Sequence, residues 1–199
     1  MGTEVEFEVP TWNKIYAMLL SQAEKIRKSG FKPNTIVGIT RGGWIPARIL
    51  SDLLEIPDLA TVRVEFYLGV AETLNEPALT QGVSAGVSGK KALVVDDVAD
   101  TGKSLQLAKE HLLWQGAAEV RIATLYYKPF SATEPDYYEK ETRRWVVFPW
   151  DTKETARKIV EKHQDKRAIN LETAKLVKAG LPKQLVETFL KEVLEERDC

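Results

Sequence analysis

Apolar residues recur at two different spacings along the chain, one typical of helices and the other of strands. Residues 11–30 have the helical spacing, and one face of this helix carries Ile15, Met18, Leu19 and Ile26. Thr11 suits the N-cap and Gly30 a stop. Helices are also predicted after a glycine turn within residues 41–55, where Pro46 falls in the first turn, and over residues 102–116.

Strand patterns alternate with these helices. Continuous apolar runs at residues 35–40 and 91–97 predict buried strands, and residues 60–67 alternate so that one side carries Val62, Val64 and Phe66. Two further strands are predicted at residues 119–127 and 143–150. This alternation predicts an α/β fold with a doubly wound, mainly parallel sheet, in which ligands bind beyond the carboxyl ends of the strands.

Two regions depart from this alternation. Residues 68–89 have no strong periodicity, which predicts a long loop of the kind that often serves function. Residues 152–168 and 170–199 predict helices, with a break at 180–182. The last helix has an apolar face, expected to pack on the core or on a second subunit, formed by Leu185, Val186, Phe189, Leu190, Val193 and Leu194.

Composition removes several classes of function. The net charge is -1, from 28 basic and 29 acidic residues, so no overall field attracts nucleic acid or an anionic membrane. The one cysteine, Cys199, and two histidines argue against disulfides and against metal sites built on these residues. Because the chain also has no membrane-length apolar run and no signal-peptide pattern, it is predicted to be cytoplasmic, with a small molecule as its partner.

The most informative stretch is "ALVVDDVADTGKSLQLAKEHL", residues 92–112. Its Gly102-Lys103-Ser104 matches the end of a Walker A loop. However, Asp97 stands where that loop requires a glycine, and its carboxylate would repel a triphosphate. A helix N-terminus still favours a single phosphate, and Thr101 and Ser104 add hydroxyl donors. Asp96 and Asp97 suit a divalent cation or sugar hydroxyls. The stretch therefore suits a sugar phosphate.

"VVDDVADTG" closely resembles the phosphoribosyl diphosphate signature of the type I phosphoribosyltransferases. The resemblance implies that the acidic pair Asp96 and Asp97 faces the ribose hydroxyls and a Mg²⁺ ion, while the turn grips the 5′-phosphate. It assigns to phosphoribosyl diphosphate binding the residues Asp96, Asp97, Val98, Ala99, Thr101, Gly102, Lys103 and Ser104.

Further motifs resemble the xanthine-guanine and other 6-oxopurine members of that family. "ITRGG" is similar to their diphosphate loop, which implies binding roles for Thr40, Arg41, Gly42 and Gly43 and a cis Thr40–Arg41 peptide bond. "YYKPF" and "WVVFPWD" resemble the purine pocket, in which Lys128 would face the 6-oxo group and Trp145 would stack on the base. The resemblance adds Val146 and Asp151 at the pocket edge.

Asp100 completes the expected active site. The resembling 6-oxopurine enzymes carry an acidic residue in this turn and the adenine enzymes carry alanine, so Asp100 is predicted to accept a proton as the purine attacks. The implied activity is transfer of phosphoribose from phosphoribosyl diphosphate to guanine, xanthine or hypoxanthine, by a homodimer or larger homo-oligomer. Residues 1–151 would form the phosphoribosyltransferase domain and residues 152–199 a helical C-terminal extension.

Two departures from the family and two alternative functions stay open. Relatives place a Ser-Tyr pair before the long loop, which would close as a lid, whereas this chain has Phe66-Tyr67. Lys103 stands where the family often has a small residue. The alternatives are a catalytically silent sensor of phosphoribosyl diphosphate or a nucleotide, and a transferase for another base. No basic recognition helix supports a DNA-binding regulator.

Overall fold

The computed structural model describes residues 6–67, 76–163 and 165–198. Its strands are β1 Phe7–Glu8, β2 Thr35–Thr40, β3 Leu59–Tyr67, β4 Glu76–Gln81, β5 Lys91–Ala99, β6 Glu119–Tyr127, β7 Tyr137–Glu141 and β8 Trp145–Val146. Its helices are α1 Trp12–Lys28, α2 Trp44–Leu53, α3 Lys103–Trp114, α4 Thr152–Lys162, α5 Lys166–Ala179 and α6 Lys183–Asp198.

The chain divides into two compact units. Tyr16–Arg143 forms the first, called the sheet unit, and Met1–Ile15 together with Arg144–Cys199 forms the second, called the helical unit. This division by compactness differs from the predicted division after residue 151, which followed the family resemblance and stays a prediction.

The sheet unit has the predicted doubly wound, mainly parallel architecture. Its six strands lie in the order β4-β3-β2-β5-β6-β7, and each neighbouring pair is parallel except β3 with the antiparallel edge strand β4. From β2 the chain first passes to β3 on one side and later returns to β5 on the other side. The order therefore reverses between β2 and β5, and a crevice beyond their carboxyl ends is the expected ligand site.

Apolar side chains from both sequence patterns form the core of the sheet unit. The inner strands contribute fully buried side chains such as Val37, Val62 and Val94, and α3 packs Leu105 and Leu112 against them. On α1 all four predicted core residues are at most 5% exposed. Thr11 caps that helix as predicted, because its hydroxyl oxygen accepts a hydrogen bond from the Lys14 N–H at 3.2 Å.

The structure corrects several predictions in the sheet unit. Residues 68–89 are not one loop, because Glu76–Gln81 forms β4 and only the segment from Gly82 onward returns as a loop; residues 68–75 lie outside the described residues. The strand predicted to end at Asp97 continues to Ala99. Strand β7 was not predicted, and near the end of β3 Phe66 is 41% exposed, whereas Val62 is buried.

The helical unit contains a small parallel sheet and three helices. Phe7 and Glu8 of β1 pair with Trp145 and Val146 of β8, so only two residues of the strand predicted over 143–150 form a strand. Helices α4 and α5 separate near Asp165, earlier than predicted, because the Asp165 side chain caps α5 by accepting the Arg167 N–H at 3.1 Å.

Four of the six residues predicted as the apolar face of the last helix pack inside the helical unit, whereas Leu185 is 37% exposed. Val186 and Val193 of α6 are 3% and 2% exposed, and the cluster they join includes Ile159, Leu176 and Val147 from the preceding elements. Among the helices formed by the described residues, none is long and apolar enough to cross a membrane.

Candidate active site

Two loops meet at the crevice between β2 and β5. The first loop, from Thr40 to Gly43, joins β2 to α2, and the second loop, from Asp100 to Gly102, joins β5 to α3. A Cβ atom at Gly43 would overlap the Val95 carbonyl oxygen and lie 2.9 Å from the Asp96 Cα, so the turn after β2 packs directly on the end of β5. A Cβ at Gly42 would overlap the Asp97 carboxylate. Because only glycine permits this approach, the paired glycines bring the predicted diphosphate loop into contact with the acidic pair.

The remaining residues of the first loop have different environments. The Thr40–Arg41 peptide bond is cis, as the resemblance implied. The Thr40 hydroxyl donates to the Val62 carbonyl oxygen at 3.2 Å, which ties the end of β2 to β3. Arg41 is exposed. The Ala47 N–H then donates to the Gly43 carbonyl oxygen at 3.0 Å, and α2 begins.

The acidic pair closes the floor of the crevice. Although Asp96 keeps some exposed surface, its carboxyl group is buried, and this burial together with the neighbouring Asp97 carboxylate raises the pKa of Asp96 well above its ordinary value. Hydrogen bonds from the Asp97 and Gly43 N–H groups act in the opposite direction. The Asp97 N–H donates to the Asp96 Oδ1 at 3.0 Å.

The second loop turns from β5 into α3. Val98 and Ala99 still pair with β6, and Asp100 and Thr101 are exposed in the turn. Gly102 stands at the N-cap with a φ of 80°, a left-handed conformation that favours glycine, and Ser104 lies in the first turn of α3. The start of α3 thus follows directly on the end of β5 and offers the partial positive charge of a helix N-terminus.

Lys103 has an ion-pair partner in the sheet unit. Its Nζ atom lies 2.8 Å from the Glu76 carboxylate at the start of β4. The expectation that this lysine supplies a cation to a phosphate therefore requires the ion pair to open. Both side chains are well exposed, at 38% and 59%, so the pair itself contributes little stability.

The predicted purine residues are divided between the two units. Lys128 belongs to the sheet unit, where it is 6% exposed and its backbone N–H donates to the Ala99 carbonyl oxygen at 3.0 Å. Trp145, Val146 and Asp151 belong to the helical unit. The purine pocket that would combine them therefore stays a prediction.

Within the helical unit, Trp145 is 46% exposed and suited to stacking, whereas Val146 is buried. Asp151 precedes α4 as its N-cap residue, and its carbonyl oxygen accepts the Thr155 N–H. The Lys158 ammonium lies 5.8 Å from the centre of the Trp145 ring, within the range of a cation–π contact. Sequence reasoning missed Lys158, because nothing in the helical spacing of α4 indicates that it meets this tryptophan.

Sequence reasoning also missed a segment that packs against the second loop. Ser131 and Thr133 approach Gly102 so closely that a Cβ there would lie 2.5 Å from the Ser131 Oγ and from the Thr133 N atom. These residues have ordinary loop composition, and only the tertiary structure brings them to the turn.

Within the described residues, no group of three or more histidine, cysteine or acidic side chains could hold a metal ion. Asp96 and Asp97 nevertheless fit a Mg²⁺ ion that takes most of its ligands from a substrate, because such ions are commonly held by one or two carboxylates plus phosphate oxygens. Asp97 borders Gly42 of the first loop, where those oxygens are expected.

The fold and these two loops define a doubly wound α/β protein with an anion-binding crevice at its switch point. The phosphoribosyl transferase domain model matches residues 10–157. The chain therefore belongs to the phosphoribosyltransferase family.

Individual relatives support this membership. A purine phosphoribosyltransferase from Pyrococcus horikoshii has 38% sequence identity and a TM-score of 0.67, and the match covers 73% of this chain and 94% of that one. The xanthine-guanine phosphoribosyltransferase of Gluconobacter oxydans is 34% identical over 152 residues, which are 74% of this chain and 86% of the relative. The xanthine-guanine-hypoxanthine enzyme of Helicobacter pylori, at 18% identity and a TM-score of 0.64, shows the shared fold alone.

Proposed function

We propose that this protein transfers the 5-phosphoribosyl group of phosphoribosyl diphosphate to a 6-oxopurine and releases diphosphate, as an enzyme of purine salvage. The observation that carries the proposal is the meeting of the two loops, in which Gly42 touches the Asp97 carboxylate. A ligand with a phosphate at each end and a diol between them suits a crevice with an anion site on either side of an acidic pair.

The two loops would divide the work of binding. Backbone N–H groups and hydroxyls from Thr101 to Ser104 would hold the 5′-phosphate at the start of α3. The loop from Thr40 to Gly43 would hold the diphosphate, with Arg41 supplying positive charge. Asp96 and Asp97 would hold Mg²⁺, which when bound offsets the negative charge of the leaving diphosphate.

The transfer exchanges one bond for another at C1′ of the ribose. The bond from C1′ to the diphosphate oxygen breaks through an oxocarbenium-like transition state, and a purine nitrogen forms the new bond. Asp100, exposed in the turn, would accept the proton that the purine loses. Exclusion of water would protect the short-lived cation.

Lys128 would select the base by hydrogen-bond chemistry. A buried ammonium can donate to the O6 atom of guanine, xanthine or hypoxanthine, whereas the amino group of adenine would leave two donors facing each other. Trp145 would stack on the ring, with Val146 and Asp151 beside its C2 edge. The relatives from Pyrococcus horikoshii and Gluconobacter oxydans, which are named for purine substrates, support this choice over a silent sensor or another base.

The direct test supplies the protein with phosphoribosyl diphosphate, Mg²⁺ and each of four purines in turn, and measures nucleotide formation by chromatography. Guanine, xanthine and hypoxanthine should be converted and adenine should not. Chelation of the metal should stop the reaction. Absence of any nucleotide, with the protein shown to be folded, would contradict the proposal.

We also propose a cytoplasmic homodimer or larger homo-oligomer. Tyr16 and Leu20, four residues apart on α1, are 49% and 46% exposed, and an apolar stripe of this kind is commonly covered by another subunit. Light scattering on the protein as it elutes from a size-exclusion column would give its molecular mass. A mass equal to that of one chain would contradict the proposed oligomer.

A further inference from the structure

The segment from Lys128 to Thr133 lies along the turn that would hold the 5′-phosphate. Three hydrogen bonds join the two segments: Lys128 N–H to Ala99 O at 3.0 Å, Ala132 N–H to Thr101 O at 2.9 Å, and Thr133 Oγ1 to Gly102 O at 3.1 Å. The segment therefore holds three carbonyl oxygens around the turn, and that of Gly102 also accepts the Gln106 N–H of α3 at 3.0 Å.

These bonds also fix where the N–H groups of the turn point. In a planar trans peptide the N–H is directed opposite to the preceding carbonyl. Holding the carbonyls of Thr101 and Gly102 toward the 131–133 segment therefore directs the N–H groups of Gly102 and Lys103 away from it. The Lys103 N–H makes only a long bond of 3.4 Å to the Thr101 hydroxyl, which a phosphate oxygen could replace.

The segment is itself held in a defined shape. The Ser131 hydroxyl donates to the Thr133 carbonyl oxygen at 3.0 Å, and the Ser131 N–H donates to the Lys128 carbonyl oxygen at 2.9 Å. The close approach to Gly102 leaves no room for a side chain there. The turn and the segment thus form one hydrogen-bonded assembly that continues to Lys128.

We propose that the 131–133 segment presets the 5′-phosphate turn, and that Thr133 is a positioning residue for phosphoribosyl diphosphate binding. Thr133 acts through the peptide between Gly102 and Lys103. The inference rests on the proposed function, because it assumes that the turn binds a phosphate. It adds to that function that the Thr133 hydroxyl, which lies outside the signature sequence, controls the affinity for phosphoribosyl diphosphate.

The test replaces Thr133 by Val, which keeps the branched shape and removes the donor, and by Ser, which retains the hydroxyl. Thr35→Val is the matched control, because the Thr35 hydroxyl also donates to a backbone carbonyl, that of Asp58 at 3.2 Å. Thr35 lies at the start of β2, at the end of the strand far from the crevice. Each variant is measured for unfolding temperature, for its rise with phosphoribosyl diphosphate and Mg²⁺, and for steady-state constants of both substrates.

Thr133→Val should raise the dissociation constant and KM of phosphoribosyl diphosphate by about three- to tenfold, as expected for one lost hydrogen bond. The KM of guanine and kcat should stay within twofold, and Thr133→Ser should restore the parent value. Thr35→Val should lower the unfolding temperature alone.

Parent-like affinity of a folded Thr133→Val protein would overturn the inference while leaving the proposed function intact. Equal weakening by Thr35→Val would overturn it as well, because a general loss of stability would then explain the effect. Failure of the parent itself to bind phosphoribosyl diphosphate would overturn both.

Discussion

Asp100 is the residue to which the proposed chemistry assigns the proton. Its carboxylate is exposed in the turn between β5 and α3. Asp100→Asn keeps the size of the side chain and removes its basicity, so kcat should fall by about 10²-fold while the dissociation constant of phosphoribosyl diphosphate changes little. Steady-state kinetics and ligand-induced shifts in unfolding temperature measure the two quantities.

An exposed aspartate elsewhere gives the control for Asp100. Asp52 on α2 has a side chain that is 72% exposed, and Asp52→Asn should leave both constants unchanged. Turnover of Asp100→Asn within a few-fold of the parent would remove Asp100 from the mechanism.

Asp151 is expected to distinguish the purines at their C2 edge. Guanine offers an amino donor there and hypoxanthine only a hydrogen atom, so Asp151→Ala should cost guanine about 1–3 kcal/mol in transition-state binding and hypoxanthine less. The measurement is the ratio of kcat/KM for the two bases.

The structure supplies a close control for Asp151, because both Asp151 and Asp165 are N-cap residues of the helical unit. Asp165→Ala removes a capping bond and should lower the unfolding temperature without changing the guanine to hypoxanthine ratio. If both substitutions left the ratio at its parent value, Asp151 would have a structural role only.

Among the helices, the junction of α4 and α5 depends on one buried carboxylate. Glu172 is 9% exposed and accepts hydrogen bonds from Lys162 Nζ at 2.9 Å and His163 Nε2 at 2.8 Å. Burial raises the pKa of Glu172, but the bonds from Lys162 and His163 outweigh burial, so the pKa lies below its ordinary value of 4.5.

Because that pKa is lower in the folded than in the unfolded protein, the ionised group stabilises the fold fully at pH values above the ordinary pKa of 4.5. The contribution is lost as the pH falls through the folded pKa. Glu172→Gln should therefore lower stability by about 1–2 kcal/mol at pH 7, and the difference from the parent should shrink on acidification. Thermal unfolding between pH 7 and 3 tests this.

The matched control is Glu195→Gln on α6, whose carboxylate is 66% exposed and 3.8 Å from Lys191. It should have little effect at any pH. A Glu172→Gln deficit that persisted at low pH would mean that shape rather than charge is lost.

The sequence predicts helices and strands well where apolar residues recur with a clear periodicity. It does not predict the elements that form only through tertiary contacts. Strand β2 has the bounds of its apolar run, because a buried central strand needs apolar residues on both faces. Strand β4 contains Glu76 and Pro77, for which the sequence predicts a loop; the strand exists because β3 offers an open edge to pair with. Strand β7, "YYEKE", likewise depends on pairing with β6.

The site residues divide in the same way into those that the sequence predicts and those that it does not. Gly42, Gly43 and the Asp96–Asp97 pair could be found from the sequence because a short local motif carries their geometry. Thr133 could not be found, since its partner Gly102 is 31 residues away and no periodicity links the two. Lys158 lay beyond the motifs that carried the resemblance.

At the scale of the whole molecule, the two units provide a matched pair of core substitutions. Leu112 is 0% exposed in the sheet unit and Leu176 is 1% exposed in the helical unit. Replacing either by Ala should cost about 2–5 kcal/mol. Leu112→Ala should weaken phosphoribosyl diphosphate more than guanine, and Leu176→Ala should do the reverse, because each unit contributes different predicted contacts.

The measurements are urea unfolding of each variant and the KM values of both substrates. Equal changes in both KM values for both variants would contradict the expectation that the helical unit contributes to purine binding and not to phosphoribosyl diphosphate binding.

The pairing of β1 with β8 has a consequence for how the protein is made. Phe7 pairs in register with Trp145, so the small sheet joins β1 to a segment synthesised 138 residues later. On the ribosome, strands β2 to β7 can assemble as they emerge, whereas β1 must wait for its partner. Strand β1 is therefore the first strand to be synthesised but among the last to pair. A nascent chain stalled before Trp145 would leave the apolar side chains of Phe7 and Val9 exposed to chaperones.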